Sequence, residues 1–360
     1  MSRILYAPSW SWIAPAVAGL FVLALHYFHL PLTTPFFIIA VALLFPAVFA
    51  AVHHAETIAH RLGDPYGAIV LAVAVTIIEV ALIISILLES PAGTSEIARD
   101  TVFSAIMIVL NGIVGVCLLV GGVRYTEQDF RARGATAALG VLATVAVLGL
   151  VLPNYTKTLP GPVYAPFQLI FVAVVSFVLY GLFLFIQTVR HTEDFRDISG
   201  EHGHGESPNK ASFAGALLLL PLTLVSVVLL AESLTPYVET SVLRAGLPEA
   251  LVGVAIATVV LLPEGTAALR AARANRLQTS LNLALGSALA SICLTIPSVA
   301  VVSLVLGQPL ILGLEAEHIV LLLLSLFMAT LTLAMGRTTI LQGAIHLVIF
   351  GAFLTLATVP

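Results

Sequence analysis

Residues 247–270 read LPEALVGVAIATVVLLPEGTAALR: an apolar run that opens on Leu247-Pro248-Glu249 and carries a second acid, Glu264, directly after Pro263 deep inside it. The run is long enough to cross a bilayer as a helix. Its strand alternative would alternate apolar and polar residues every second position, which this run does not do. Working outward from it, ten further apolar runs of similar length appear, approximately at 10–28, 34–54, 66–88, 101–123, 134–152, 164–188, 211–232, 277–306, 317–336 and 338–358. Composition agrees: of 360 residues, 59% are hydrophobic and 9% charged, against about 25% charged in a soluble chain. Too few charges exist to solvate the outside of a water-soluble fold, and a net charge of −4 offers no basic field for nucleic acid. The expected fold is an all-α polytopic membrane protein of about eleven transmembrane helices, with the lipid bilayer as its surroundings. Cys117 and Cys293 both fall inside apolar runs, where packing is their expected role. No cofactor-binding motif and no nucleotide-binding loop is visible.

The basic residues set the orientation. With the N-terminus cytoplasmic, twelve of the 15 Lys and Arg fall in inside segments, and Arg99, Lys157 and Arg244 fall outside. This asymmetry sets the N-terminus cytoplasmic and, after an odd number of spans, the C-terminus external; the expected location is the inner (plasma) membrane.

The one long polar stretch, Arg190–Lys210, holds Glu193, Asp194, Asp197, Glu201 and Glu206 together with His191, His202 and His204. It divides the chain into an N-terminal helix (1–30), a first five-helix repeat (31–189), an acidic His-containing cytoplasmic linker (190–210) and a second five-helix repeat (211–360). An odd number of spans per half inverts the second half relative to the first, the plan of many secondary transporters with midplane ion sites. Self-similarity supports it. Pro46 precedes Glu56 in the second span as Pro221 precedes Glu232 in the seventh. Thr76-Ile-Ile-Glu79 in the third answers Leu261-Leu-Pro-Glu264 in the eighth.

Glu56, Glu79, Glu232 and Glu264 therefore lie in or beside apolar spans, and no Lys or Arg lies deep in any of them. A charged acid at bilayer depth costs at least about 2.5 kcal/mol. Such a group is protonated, binds a cation, or faces water, and burial favours its neutral form. Glu79 and Glu264 sit mid-helix and form the expected central pair for metal cation and proton. The plainer alternative is a protonated acid bonded to a neighbouring helix. Pro263 removes an amide donor and frees the carbonyl of Val259 one turn earlier, a ligand type that hard cations accept. Asn111, Ser287 and Ser291 are further candidate ligands, or else ordinary helix–helix hydrogen bonds. Glu56 and Glu232 lie nearer span ends, as gating or proton-relay groups or as wetted interfacial acids. His53, Glu56 and His60 fall on one helical face and suit proton relay or a metal. Gln342 and His346, four apart, read as helix packing.

Several stretches resemble the cation/proton exchangers of the calcium:cation antiporter superfamily, and within it the bacterial ChaA-type calcium/proton and sodium(potassium)/proton antiporters. Ala231-Glu232-Ser-Leu, Val238-Glu239, Gly246-Leu-Pro-Glu249-Ala-Leu-Val-Gly253 and Leu262-Pro263-Glu264 are similar in order to the second signature repeat of that family. His54-Ala-Glu56-Thr-Ile-Ala59 followed by Glu79 resembles the first. Gly286-Ser287-Ala288 resembles the helix after the second acidic one, and Phe185-Ile-Gln187-Thr-Val-Arg190-His191-Thr192 the end of the sixth helix. The resemblance covers the chain after its first helix. It implies eleven helices as one plus five plus five, a central cation site at Glu79 and Glu264, and accessory acids at Glu56 and Glu232. Where the exchangers usually carry Gly-Asn before each central Glu, this chain has Thr76-Ile-Ile and Leu261-Leu-Pro, a change that bears on calcium selectivity more than on antiport.

The expected activity is exchange of cytoplasmic Ca2+, Na+ or K+ for external protons. Two other readings use the same residues: a cation channel, and a membrane-embedded metalloenzyme built on His53, His54, Glu56 and His60. Preferred cation, stoichiometry and oligomeric state are not written in the sequence.

Overall fold

The computed structural model describes residues 9–28, 32–62, 66–89, 96–197, 210–248 and 250–359. Eleven helices account for nearly all of them: α1 (Trp10–Tyr27), α2 (Thr34–Leu62), α3 (Tyr66–Glu89), α4 (Ile97–Tyr125), α5 (Ala132–Tyr155), α6 (Pro166–Arg190), α7 (Lys210–Arg244), α8 (Ala250–Arg273), α9 (Leu277–Leu306), α10 (Ala316–Ala334) and α11 (Ile340–Thr358). All but α3 are long and apolar enough to cross a membrane over their described residues, and α3 contains a shorter apolar stretch, Val73–Ser85. Many large apolar side chains stand exposed, Phe167, Val305 and Val348 among them, as expected of faces that meet lipid rather than water. Cys117 and Cys293 are buried free thiols.

Sequence chemistry sets the ends. Pro166 opens α6, where its missing N–H is no loss, and Gln168 Oε1 accepts from Ala165 N at 3.0 Å. Thr339 caps α11, and Gln342 Oε1 accepts from its N–H (2.9 Å) and hydroxyl (2.6 Å). Gln342 is thus a cap and does not pair with His346. Gly307 closes α9 at φ 67°, a conformation that glycine adopts without steric cost.

Two helices run further than their hydrophobicity suggests. α2 continues to Leu62, and α7 continues through Pro236 to Arg244. A proline removes one helical bond but not those of the flanking turns. Glu232 accordingly lies within a continuous helix and not at its end. Three helices carry wider π turns: Ile108–Ile113 in α4, Val147–Val151 in α5 and Ile186–Arg190 in α6. A π turn inserts one residue into the helical register and is often found at functional sites.

The chain packs as two compact units, and each draws on both sequence halves. The first comprises Met1–Ile86 and His202–Gly246, the second Leu87–Glu201 and Leu247–Pro360. In the first, α1, α2 and α7 pack on one another. Phe37 stacks on Tyr237 with ring centres 4.4 Å apart, and the Tyr237 hydroxyl meets Thr34 Oγ1 at 2.8 Å. In the second, α9 packs against α5, α6 and α8, and α4 packs against α8 and α11. α4 is buried almost throughout its first four turns, its polar residues Arg99, Asp100, Thr101, Ser104 and Asn111 included. Gly253 makes the α4–α8 crossing: a β-carbon there would lie 2.9 Å from Thr101 N and 3.0 Å from the Asp100 carbonyl carbon. The loops after α4 and α10 pair as two short antiparallel strands, Gln128–Asp129 with Arg337–Thr338.

The start of the central linker is tied to the second unit. Asp197 Oδ1 accepts from Thr279 N at 3.2 Å in the first turn of α9, and Oδ2 accepts from the Thr279 hydroxyl. Asn282 Nδ2 donates to Phe195 O at 2.5 Å. Glu193 pairs with Arg196 at 2.7 Å. Glu201, His202, His204 and Glu206 lie outside the described residues.

Candidate functional site

α8 positions Glu264 through the break at Pro263. Without a proline N–H the Val259 carbonyl has no amide partner four residues on, and the Thr266 hydroxyl donates to Pro263 O at 2.8 Å. Glu264 is 7% exposed. Ser287 on α9 places its hydroxyl 3.5 Å from Glu264 Oε1, the outer limit of a hydrogen bond. Ser291, four residues along the same helix and so on the same face, is buried. The second unit thus brings together a carboxylate, a hydroxyl and a proline-freed helical turn. Oxygen groups of this kind suit hard cations, and a carboxylate can alternately hold a proton.

Glu79 belongs to the first unit. It is 3% exposed, and Thr76, three residues earlier and on the same helical face, is buried as well. Glu56 and Glu232 are half-buried in this unit. His53 lies against Trp10, ring centres 5.6 Å apart, and His54 Nε2 donates to Ser11 O at 2.9 Å. These two histidines therefore bind α1 to α2. The side chain of His60 is outside the described residues, and among those described no three His, Cys, Asp or Glu side chains are grouped to hold a metal.

Asn111 occupies the π turn of α4 and is fully buried. Its amide meets two residues that spacing did not connect with it, Ser325 on α10 (Nδ2 to Oγ, 2.8 Å) and His346 on α11 (Oδ1 to Nδ1, 3.0 Å). Sequence reasoning also missed a charged cluster at the start of α4. Arg99, buried, donates to Asp100 Oδ1 (2.7 Å), Glu96 Oε2 (2.8 Å) and Gly313 O (3.3 Å). The adjacent Arg-Asp pair at a helix start was the available signal. Nearby, Glu315 is pushed above the usual carboxyl range, first by its hydrogen bond with Glu317 and then by partial burial.

Comparison with known proteins fits this architecture. The family model described as sodium/calcium exchanger protein matches residues 32–189 and 215–359. The chain is 50% identical over 363 residues to y4hA of Sinorhizobium fredii, covering 99% of this chain and 98% of that one. It is 35% identical over 332 residues to the sodium-potassium/proton antiporter ChaA of Escherichia coli K12, covering 90% and 89%. Its fold superposes on the crystal structure of the H+/Ca2+ exchanger CAX with a TM-score of 0.72, covering 96% of this chain and 87% of that one, at 16% identity, a likeness of fold alone. Eleven apolar helices with buried mid-helix carboxylates thus define a multi-pass membrane transporter. The chain belongs to the sodium/calcium exchanger family, whose members carry ions across membranes and are not enzymes. The metalloenzyme reading of the His53 region is thereby overturned; two of its histidines serve helix packing instead.

Proposed function

We propose that the protein is a cation/proton antiporter that moves cytoplasmic Ca2+, Na+ or K+ outward against inward protons, with Glu79 and Glu264 as the carboxylates that hold cation or proton in turn. The observation that carries the reading is the buried Glu264 beside Ser287 on a proline-broken turn, answered in the other sequence half by the buried Glu79. A Ca2+ on two carboxylates carries the same charge as two protons on them, so exchange of one for the other leaves the buried charge unchanged. Ser287, Ser291 and the Val259 carbonyl supply neutral oxygens. Glu56 and Glu232 relay protons or gate access from the half-buried faces of α2 and α7. ChaA, named for sodium-potassium/proton exchange, and the Ca(2+)/H(+) antiporter of Aphanothece halophytica, 25% identical over 272 residues, bracket the cations to be tested. The N-terminus faces the cytoplasm and the C-terminus the exterior, on the asymmetry of basic residues.

The test is proton release in everted vesicles on addition of Ca2+, Na+ or K+ separately across a pH series. Antiport requires proton movement opposite to at least one cation. Cation flux that leaves the proton gradient untouched would replace this reading with a channel.

A further inference from the structure

The second unit contains a chain of buried polar groups that the exchange reading leaves unused. The Ser325 hydroxyl donates to Leu321 O at 2.7 Å, so toward Asn111 it accepts, from Nδ2 at 2.8 Å. This fixes the Asn111 amide with Oδ1 toward His346, whose Nδ1 lies 3.0 Å away. A carbonyl oxygen only accepts, so Nδ1 carries the hydrogen. The other ring nitrogen, Nε2, lies 3.2 Å from Thr332 Oγ1 and accepts from that hydroxyl when the ring is neutral. His346 is 1% exposed, and its ring is bonded at both nitrogens to neutral partners. A charged ring would be costly in such surroundings, so the group suits orientation rather than proton carriage.

What it orients is close to Glu264. Asn111 lies in the π turn Ile108–Ile113, and Ile113 at the end of that turn is the nearest neighbour of Gly265, where a β-carbon would stand 3.1 Å from Ile113 Cδ1. The π turn therefore rests on the turn of α8 that carries Glu264. We propose that His346 is a positioning residue for cation exchange: through its Nδ1–H···Oδ1 bond to Asn111 it holds the π turn of α4 against the Glu264 turn of α8. Asn111 then acts through the shape of that turn, with both ends of its amide engaged. The inference rests on the proposed role of Glu264 for its functional consequence.

The experiment is a double-mutant cycle in proteoliposomes of the full chain, reading apparent KM and Vmax for the most active of Ca2+, Na+ and K+. His346→Leu removes the donor at similar volume and leaves Oδ1 of Asn111 buried without it, which should raise KM about tenfold while Vmax stays within about threefold. His346→Gln, whose amide N–H can still donate, should stay within about threefold of wild-type KM. Asn111→Ala should match His346→Leu, and the double variant should be no worse than Asn111→Ala alone, because the two residues act as one unit. Unchanged KM in His346→Leu, a Gln variant as impaired as Leu, or effects that multiply in the double variant would each overturn the proposal. Should His346→Leu fail to insert, His346→Ser takes its place in the cycle. Normal exchange in Glu264→Gln would remove the site reading while leaving the measured coupling of His346 to Asn111 intact, so the two failures are distinguishable.

Discussion

Substitution of Gly253 by alanine tests whether the close crossing of α4 and α8 sets the position of Glu264. The added β-carbon would stand 2.9 Å from Thr101 N, 3.0 Å from the Asp100 carbonyl carbon and 3.2 Å from Asp100 Cβ. Comfortable carbon contacts are about 3.5–4.0 Å, and the obstructing atoms belong mostly to helix backbone. The helices must therefore part by roughly 0.5–1 Å. Overpacking of this kind costs about 1–3 kcal/mol. In a unit of this size that corresponds to a fall of roughly 2–12 °C in apparent Tm, at about 2–4 °C per kcal/mol. Because Glu264 rides on α8, the separation should also weaken exchange, since misplacement of about 1 Å at a reacting group can cost 100-fold. Gly140→Ala is the control. Nothing lies within 4 Å of a β-carbon there, and alanine in a helix interior is favoured over glycine by about 1 kcal/mol. Thermal unfolding of the purified protein and proton flux in proteoliposomes check both. Equal Tm and equal flux in Gly253→Ala and Gly140→Ala would refute the claim that the crossing is tight and that it matters.

Other consequences concern Tyr164 and Asp197, which lie between helices. The Tyr164 hydroxyl donates to Leu148 O within the π turn of α5, and burial lifts its pKa to about 12; Tyr164→Phe should cost about 1 kcal/mol. Because the folded pKa is raised above the ordinary value near 10, that contribution is fully present below pH ~10 and is lost as pH rises toward 12. Unfolding at pH 7 and 9 should thus show the same deficit, and a deficit that vanishes by pH 9 would contradict the assignment. Asp197→Ala removes an acceptor at the first turn of α9 and should lower stability by about 1 kcal/mol, read as apparent Tm at neutral pH; no change would mean that the linker is not anchored there.

The all-helical membrane fold was legible because its decisive signal is long-range composition: eleven apolar runs and sparse charges. Glu79 and Glu264 stood out for the same reason, as acids in a stretch that tolerates few. What stayed hidden depends on contacts between residues far apart in sequence. Nothing in the spacing of Asn111 and His346, 235 positions apart, indicates that they meet, and the π turn that brings Asn111 into place has no sequence signature like a cap or a turn. His346 looked like packing because its partners lie on α4 and α10 and not on its own helix. Helix ends were misjudged where hydropathy falls before the hydrogen-bond ladder does, as in α7 beyond Glu232. Arg99, at the edge of an apolar run, reads as a solvated charge, whereas Asp100, Glu96 and Gly313 compensate it within the protein.

The central claim is that Glu79 and Glu264 hold the transported cation and the counter-transported proton in turn. Gln is nearly the size of a protonated Glu but can neither release a proton nor offer negative charge to an ion. The direct measurement is cation-driven proton flux per correctly inserted molecule for Glu79→Gln and for Glu264→Gln, with Glu56→Gln and Glu232→Gln alongside. The expected result is that each central variant inserts normally and loses coupled exchange, while the accessory variants keep a reduced or pH-shifted flux. Near-normal flux in either Glu79→Gln or Glu264→Gln would contradict the account.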